Sequence, residues 1–502
     1  MTEFELKLEI PPDRLKSVIA SVLEGKTLRQ RLQARYFDTL DGTLAAHGIV
    51  VRLRKEGRRW VQTAKGPTED LLDRLEHNVT LPLQPAASTP PLDLSRHSGT
   101  PVGQAISKAL GLKNDKSLPQ LVLHHSTDVE RITRRITYEQ SVVEIALDQG
   151  RVFSDRRSQV ICELELELME GTPSQAVALA RQWCSAHGLW LSSISKSMKG
   201  QRLRSAELLI AAQSALAPKF SRHASGEEMT TAVVQSCLNQ ILSNASEVAS
   251  DLASGSELTD HVHQLRVGIR RLRTALRELG GLTGAIDPAW EAVLMDVFRS
   301  LGRHRDRSHL ALSLQPQLLA AGGPDVHFKD ANSIVDLGAT VRAAHFQDVL
   351  LGLVGFLHRE VQGKERKKAV APGTLKKALS RRLKKLHAHA LHHGEKFLIL
   401  DEDQQHSVRK RLKQLRYLIE FAAPIFASRK VKQMTTALEP AQDVLGLYND
   451  ELMALHAWRA LAADDSKAWF GVGWFTARQL PNAKRCLKEI TAVAGVKPFW
   501  RK

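Results

Sequence analysis

The chain opens on an alternation of period two. In MTEFELKLEI, Phe4, Leu6, Leu8 and Ile10 share one side, and Glu3, Glu5, Lys7 and Glu9 share the other, as on a strand whose successive side chains point to opposite faces. The same reading predicts strands at 33–38, 49–55, 60–65, 74–81, 128–138, 141–148 and 159–169. Pro11-Pro12-Asp13 predicts a helix to about Leu23, since proline suits a first helical turn. A second helix is expected over 102–110, and a third from a cap at Thr172 to Gly188, with 85–91 a proline-rich connection. About eight strands and few helices predict a closed antiparallel barrel for residues 1–204. Residues 205–222, with Pro218 and a polar run, read as a linker, and from 223 to 502 helical periodicity replaces strand patterning. The expected fold class is α+β: an eight-stranded antiparallel β tunnel, then an all-α domain.

The polar sides of these strands repeat one device. Arg52 and Arg54 share a face, as do Thr63 and Lys65, Arg74 and Glu76, Glu144 and Asp148, and Glu163, Glu165 and Glu167. On one strand such charges simply face water. Repeated around a barrel, they predict a lumen that holds carboxylates and cations together. Hard carboxylate oxygens suit a divalent metal, and Lys and Arg suit phosphate.

The helical half repeats itself. His263, Arg266, Arg270 and Arg273 recur 143 residues on as His406, Arg409, Lys413 and Arg416. Each set is followed by an L-G-x-x-x-D element, Leu301 to Asp306 and Leu445 to Asp450. Two pseudo-symmetric helical bundles are predicted. The spacing i, i+3, i+7, i+10 places each set on one stripe of a helix, and Leu265-Ile269-Leu272 and Leu412-Leu415-Leu418 supply the buried faces. His387, His389, His392 and His393 lie close together, but their spacing favours phosphate contact or surface placement over a zinc site.

Composition narrows the function. The net charge is +17, with the excess denser after residue 215, so the helical half is the stronger anion binder. Aromatic content of 5% and the lack of a nucleic-acid-binding motif disfavour nucleic acid. The longest apolar run, Val349 to Leu357, is too short to span a bilayer. Four scattered cysteines and a charged first strand predict a reduced cytoplasmic protein with no disulfide framework and no cleaved leader.

Glu3, Glu5 and Lys7 form an E-x-E-x-K element that resembles the signature of the CYTH, or triphosphate tunnel metalloenzyme, superfamily. The resemblance runs in order through Arg52/Arg54, Thr63/Lys65, Arg74/Glu76, Arg131, V-E-I-A-L-D-Q-G ending at Gly150, E-L-E-L-E from Glu163, and the S-K-S element at Lys196. It implies a tunnel for a triphosphate and one or two divalent cations, Mg or Mn. Glu3, Glu5, Glu163 and Glu165 are then first-metal ligands, with Glu76, Asp148 and Glu144 around a second. Lys7, Arg52, Arg54, Lys65, Arg131 and Lys196 are phosphate contacts, and Glu5 and Lys196 take the catalytic roles. Asn78 and Ala146 stand where the family often shows acids, which bears on the second site. The stripes at His263 and His406 resemble the CHAD domain, implying a surface for inorganic polyphosphate. Together the resemblances imply an inorganic triphosphatase acting on tripolyphosphate. Thiamine triphosphatase, class IV adenylyl cyclase and a non-catalytic polyphosphate scaffold remain open alternatives.

Overall fold

The computed structural model describes residues 2–68, 72–82, 88–112, 119–283, 285–310, 314–326, 336–359 and 370–500. The first three residues of the proline-rich connection lie outside these, as do the side chains of Glu3 and Asp306.

Eight long strands build the first part: β1 (Thr2–Glu9), β2 (Thr27–Asp38), β3 (Val50–Glu56), β4 (Arg59–Pro67), β5 (Asp73–Leu81), β6 (Val122–Tyr138), β7 (Ser141–Ser154) and β8 (Arg157–Glu170). A two-residue β9 (Trp190–Leu191) makes the sheet nine-stranded, where eight were expected. The order is β5-β4-β3-β2-β6-β7-β8-β1-β9, and β1 also pairs with β5, which closes the sheet on itself. β1 achieves this by dividing its length, with Thr2–Phe4 on β5 and Glu5–Glu9 on β8.

Leu6 and Leu8 of β1, Ile145 and Leu147 of β7, and Leu164 and Leu166 of β8 are all fully buried. At about 1.5–3 kcal/mol per side chain, they fix the register, because a one-residue slip would turn all six inward. With that face committed to the core, the alternate charged positions have only the lumen. β2 and β6 start ahead of the expected 33 and 128. The early half of each pairs with the later half of the other, Thr27 opposite Arg134 through Leu32 opposite Val129 and Ala34 opposite Thr127 through Asp38 opposite Val122. The mixed polar sequence there, with Arg29, Arg31, His124 and His125, hides the strand period from a hydrophobicity reading.

The helices of this part are α1 (Leu15–Val22), α2 (Thr43–Ala46), α3 (Pro101–Ala109), α4 (Pro173–His187) and α5 (Lys196–Ser205). Proline opens α3 and α4, and Gly188 ends α4 in the left-handed conformation at φ 66°. α3 packs on β4 and β5, and α4 packs on β1, β6, β7 and β8.

The helical region comprises α6 (Gly226–Val248), α7 (Thr259–Leu279), α8 (Ala289–His309), α9 (Gln315–Ala320), α10 (Leu337–Arg342), α11 (Ala344–Leu357), α12 (Pro372–Gly394), α13 (Glu402–Ala422), α14 (Ser428–Leu461) and α15 (Trp469–Gly495). The chain divides into two compact units. The first holds residues 1–213, 239–261 and 337–359, and the second holds 214–238, 262–336 and 360–502. Within the first unit, α11 packs on α4 and β9. In the second, Leu265, Ile269 and Leu272 of α7 and Leu412, Leu415 and Leu418 of α13 are fully buried, as their spacing predicts. Among the described residues, no helix is long and apolar enough to cross a membrane.

Candidate active site and metal centre

Antiparallel registers stack the tunnel's charges in three rows. Arg131, Asp148, Glu163 and Glu9 cross β6, β7, β8 and β1 in one row. Thr133, Ala146, Glu165 and Lys7 form the next, and Arg135, Glu144, Glu167 and Glu5 the third. All of these except Glu9, Arg135 and Ala146 line a cavity of about 450 Å³, whose lining also includes Arg52, Arg54, Lys65, Arg74, Glu76 and Lys196.

The acidic wall converges on three carboxylates. Oxygens of Asp148, Glu163 and Glu165 lie within 4.8 Å of one another, and Asp148 and Glu163 are fully buried. α5 brings cations to them. Ser195 caps this helix, accepting from the Met198 amide at 3.2 Å. The first residue, Lys196, places Nζ 2.6 Å from Asp148, 2.5 Å from Glu163 and 2.6 Å from Glu165. One turn on, Lys199 reaches Glu9 at 2.8 Å and Glu163 at 2.9 Å. Arg131 donates to both Asp148 oxygens, at 2.7 and 2.6 Å, and also to Glu165.

The charges perturb one another strongly. Burial alone would raise Glu163, but Lys196, Lys199 and Lys7 reverse this and hold its carboxyl at about 2. Burial is also outweighed at Glu165, which Lys196 and Arg131 hold well below the carboxylate range. Glu5 goes the other way. Burial, reinforced by the Glu165 charge, pushes it up to about 7. Burial lowers Lys7 to about 8.

The opposite wall is cationic. Lys65 pairs with Glu76 at 2.5 Å, and Asn78 donates to Glu76 at 2.8 Å while accepting from Thr63 Oγ1 at 2.6 Å. The amide at 78 therefore orients Glu76 and does not add a charge. The structure brings Asp148 to Glu163 and Glu165, and it leaves Glu76 across the lumen with Lys65. Arg54 is lowered by its neighbour Arg52 and by burial, and pairs with Glu56. Burial lowers Arg74. Cations held together in a poorly solvated wall favour an anionic ligand.

Tyr36, which also lines the cavity, stacks on His125 with ring centroids 4.4 Å apart. His125 is buried, and neither ring nitrogen has a hydrogen-bond partner. Burial, then His124 on the same strand and Arg204 on α5, push its pKa down to about 3. A histidine depressed below its ordinary value gives stability that is present above about pH 6.5 and lost as pH falls towards 3. The loss is up to about 5 kcal/mol. Urea midpoints should therefore fall more steeply from pH 6.5 to 4 in the natural chain than in His125→Phe. Equal slopes would show that the ring is not held neutral.

Three hard oxygen donors, with no sulfur or imidazole among them, fit magnesium or manganese. Residues 1–200 match the family model of the CYTH domain, and residues 232–459 match that of the CHAD domain. The chain carries a CYTH domain followed by a CHAD domain. An inorganic triphosphatase of Haemophilus influenzae is 29% identical over 219 residues, 42% of this chain and 57% of that protein, so the match spans little more than half of that relative. A crystal structure of the CHAD domain from the plant Ricinus communis covers 57% of this chain and 98% of that one, at 23% identity and a TM-score of 0.45. A Hippeastrum protein described as revealing a dominant triphosphatase activity covers 41% of this chain and 97% of that one, at 18% identity and a TM-score of 0.30.

In the CHAD segment the stripe residues are half-buried. Arg266 and Arg270 lie over the Phe298 ring, 4.7 and 5.7 Å from its centroid. A side chain on Gly302 of the first L-G element would come within 3.2 Å of the Arg266 guanidinium, so glycine there makes room for the arginine. Arg273 donates to Glu291 at 2.9 Å, and His406 Nδ1 lies 2.7 Å from Asn449 Oδ1. Arg416 lies 3.0 Å from Glu420. His263, Arg409 and Lys413 keep their places on the two stripes. Of the clustered histidines, His387 is buried against Trp500, and His393 meets Arg411 at 3.0 Å.

Sequence reasoning missed Lys199 and Tyr36 as parts of the CYTH site, and it placed Arg74 on the lumen face without giving it a role. For Lys199 a signal existed. Lys196, Lys199 and Arg202 are spaced by three, a spacing that on a helix gathers them on one side.

Proposed function

We propose that this chain is a metal-dependent inorganic triphosphatase that splits tripolyphosphate into pyrophosphate and phosphate, and that its CHAD helices bind long inorganic polyphosphate. The observation that carries the reading is the acid trio facing a wall of arginine and lysine across one cavity. Asp148, Glu163 and Glu165 would hold the divalent cation, joined by Glu3 and Glu5 of β1. Bound there, the metal supplies phosphate charge neutralisation and an activated water for in-line attack. The chain's own part is positioning. Lys7, Arg52, Arg54, Lys65 and Arg131 take phosphate oxygens, the arginines as two-pronged donors. Glu5 receives the proton that water gives up, and Lys196 offsets charge on the departing pyrophosphate.

Affinity for the phosphates alone distinguishes this reading from a nucleotide enzyme. The cavity's described lining includes one aromatic ring, Tyr36, and His125 already covers a face of it. The test is one panel with Mg or Mn: tripolyphosphate, ATP, thiamine triphosphate and long polyphosphate, with all products measured. Tripolyphosphate should be turned over far faster than ATP, with no cyclic nucleotide. Cyclic AMP as the main product, or faster hydrolysis of thiamine triphosphate, would reverse the assignment. Retention of polyphosphate with no turnover of any triphosphate would leave only a scaffold. Arg266→Glu with Arg409→Glu should weaken polyphosphate retention and its salt dependence, and leave tripolyphosphate turnover unchanged.

A further inference from the structure

The segment that delivers Lys196 is fastened by residues far along the chain. Just before α5, the Leu191 amide donates to Gln347 Oε1 at 2.8 Å, and the Ser193 amide donates to Ser246 Oγ at 3.0 Å. Gln347 is 2% exposed and is itself fixed, donating to the Val341 carbonyl at 2.7 Å. At the other end of α5, Arg202 donates to Glu247 at 3.0 Å, and both side chains are buried, at 4% and 2% exposure. Ser246 and Glu247 belong to α6 and Gln347 to α11, and all three lie in the first compact unit. All three fall in the sequence matched by the CHAD model, outside the 1–200 matched by the CYTH model.

α5 is a short rod with a cation every three residues. Lys196 meets the acid trio, Lys199 meets Glu9 and Glu163, and Arg202 meets Glu247. Six residues separate Lys196 from Arg202, roughly 9 Å along the helix axis. Gly200 lies face to face with the His125 ring, where an added Cβ would come within 2.1 Å of it. The helix is thus pressed onto the tunnel in its middle and tied at both ends. A rod held this way pivots when one tie is cut, and a displacement of about 1 Å at a reacting group can cost about 100-fold in rate.

We propose that Glu247, supported by Ser246 and Gln347, is a positioning residue that holds Lys196 among the tunnel carboxylates, so that the CYTH site is completed by residues of the CHAD segment. The proposal rests on the triphosphatase reading only where turnover is the readout.

The test uses the full chain. Glu247→Gln keeps the shape and removes the charge that Arg202 answers. It should lower kcat for tripolyphosphate by about 10–100-fold, with KM changed less than about threefold. Amide exchange should quicken by about tenfold or more over 196–204, and exchange over β7 should stay as it was. Glu247→Asp should recover part of both effects. Arg181→Ala removes an exposed pair with Asp348 between α4 and α11 and should change neither readout. The pair Ser246→Ala and Gln347→Ala cuts the other ties and decides the matter should Glu247→Gln fail to fold. Unchanged kcat together with unchanged protection at 196–204 overturns the proposal. So does exchange that rises equally over β7, which marks a merely structural pair. A natural chain that turns over no triphosphate refutes the proposed activity, and the exchange comparison still decides the positioning.

Discussion

Glu165→Gln should lower the proposed tripolyphosphate turnover by roughly 100-fold or more and leave the barrel folded. Glu165 meets both Lys196, at 2.6 Å, and Arg131, and it is the like charge that reinforces the rise at Glu5. Gln preserves volume and a carbonyl acceptor but deletes one of three anionic donors. A hard divalent cation depends on that charge, since its affinity follows ligand charge and number. The loss should appear as a requirement for far more Mg or Mn, and a chelator should reproduce it in the natural chain. The measurement is phosphate release against metal concentration. Undiminished turnover at low metal would remove Glu165 from the site.

Lys196→Met should produce the largest change in stability. With Nζ gone, three carboxylates converge without the one cation that meets all three, and such an undercompensated buried cluster costs about 3–5 kcal/mol. The sign then depends on the solution. In chelator the variant should lose protection in β7 and β8, and millimolar Mg or Mn should restore more protection to it than to the natural chain. That follows from mass action, because an ion that binds only the folded tunnel stabilises it in proportion to its affinity. Amide exchange over β7 and β8 reads the effect without assuming that two compact units unfold together. Equal response to metal in both chains would show that Lys196 and the cation do not share the trio.

The parts of this site that could be read from sequence are those where a strand declares itself. Glu5, Lys7, Arg52, Arg54, Glu163 and Glu165 alternate with apolar residues that had to be buried, so their inward direction follows from period two alone. The acid trio was visible as types but not as a trio, because Asp148 and Glu163 meet only through the register of β7 with β8. His125 was lost with the early half of β6, where polar residues on both faces erase the alternation, and Tyr36, inside the expected strand 33–38, carries no charge to mark it as a lumen residue. Glu247 could not be found by any local pattern. Its only distinction is burial against Arg202, and that contact spans 45 residues of chain.

The first compact unit is assembled from three stretches of chain, 1–213, 239–261 and 337–359. During synthesis at roughly 5–20 residues per second, the last stretch is completed roughly 7–30 s after the first. For that interval Arg202 has no Glu247 or only a newly made one, and the Leu191 amide has no Gln347. The barrel strands are all made by then, yet the helix bearing Lys196 and Lys199 lacks ties at one end or both. A nascent tunnel is therefore a vessel whose plug is made before its fastenings.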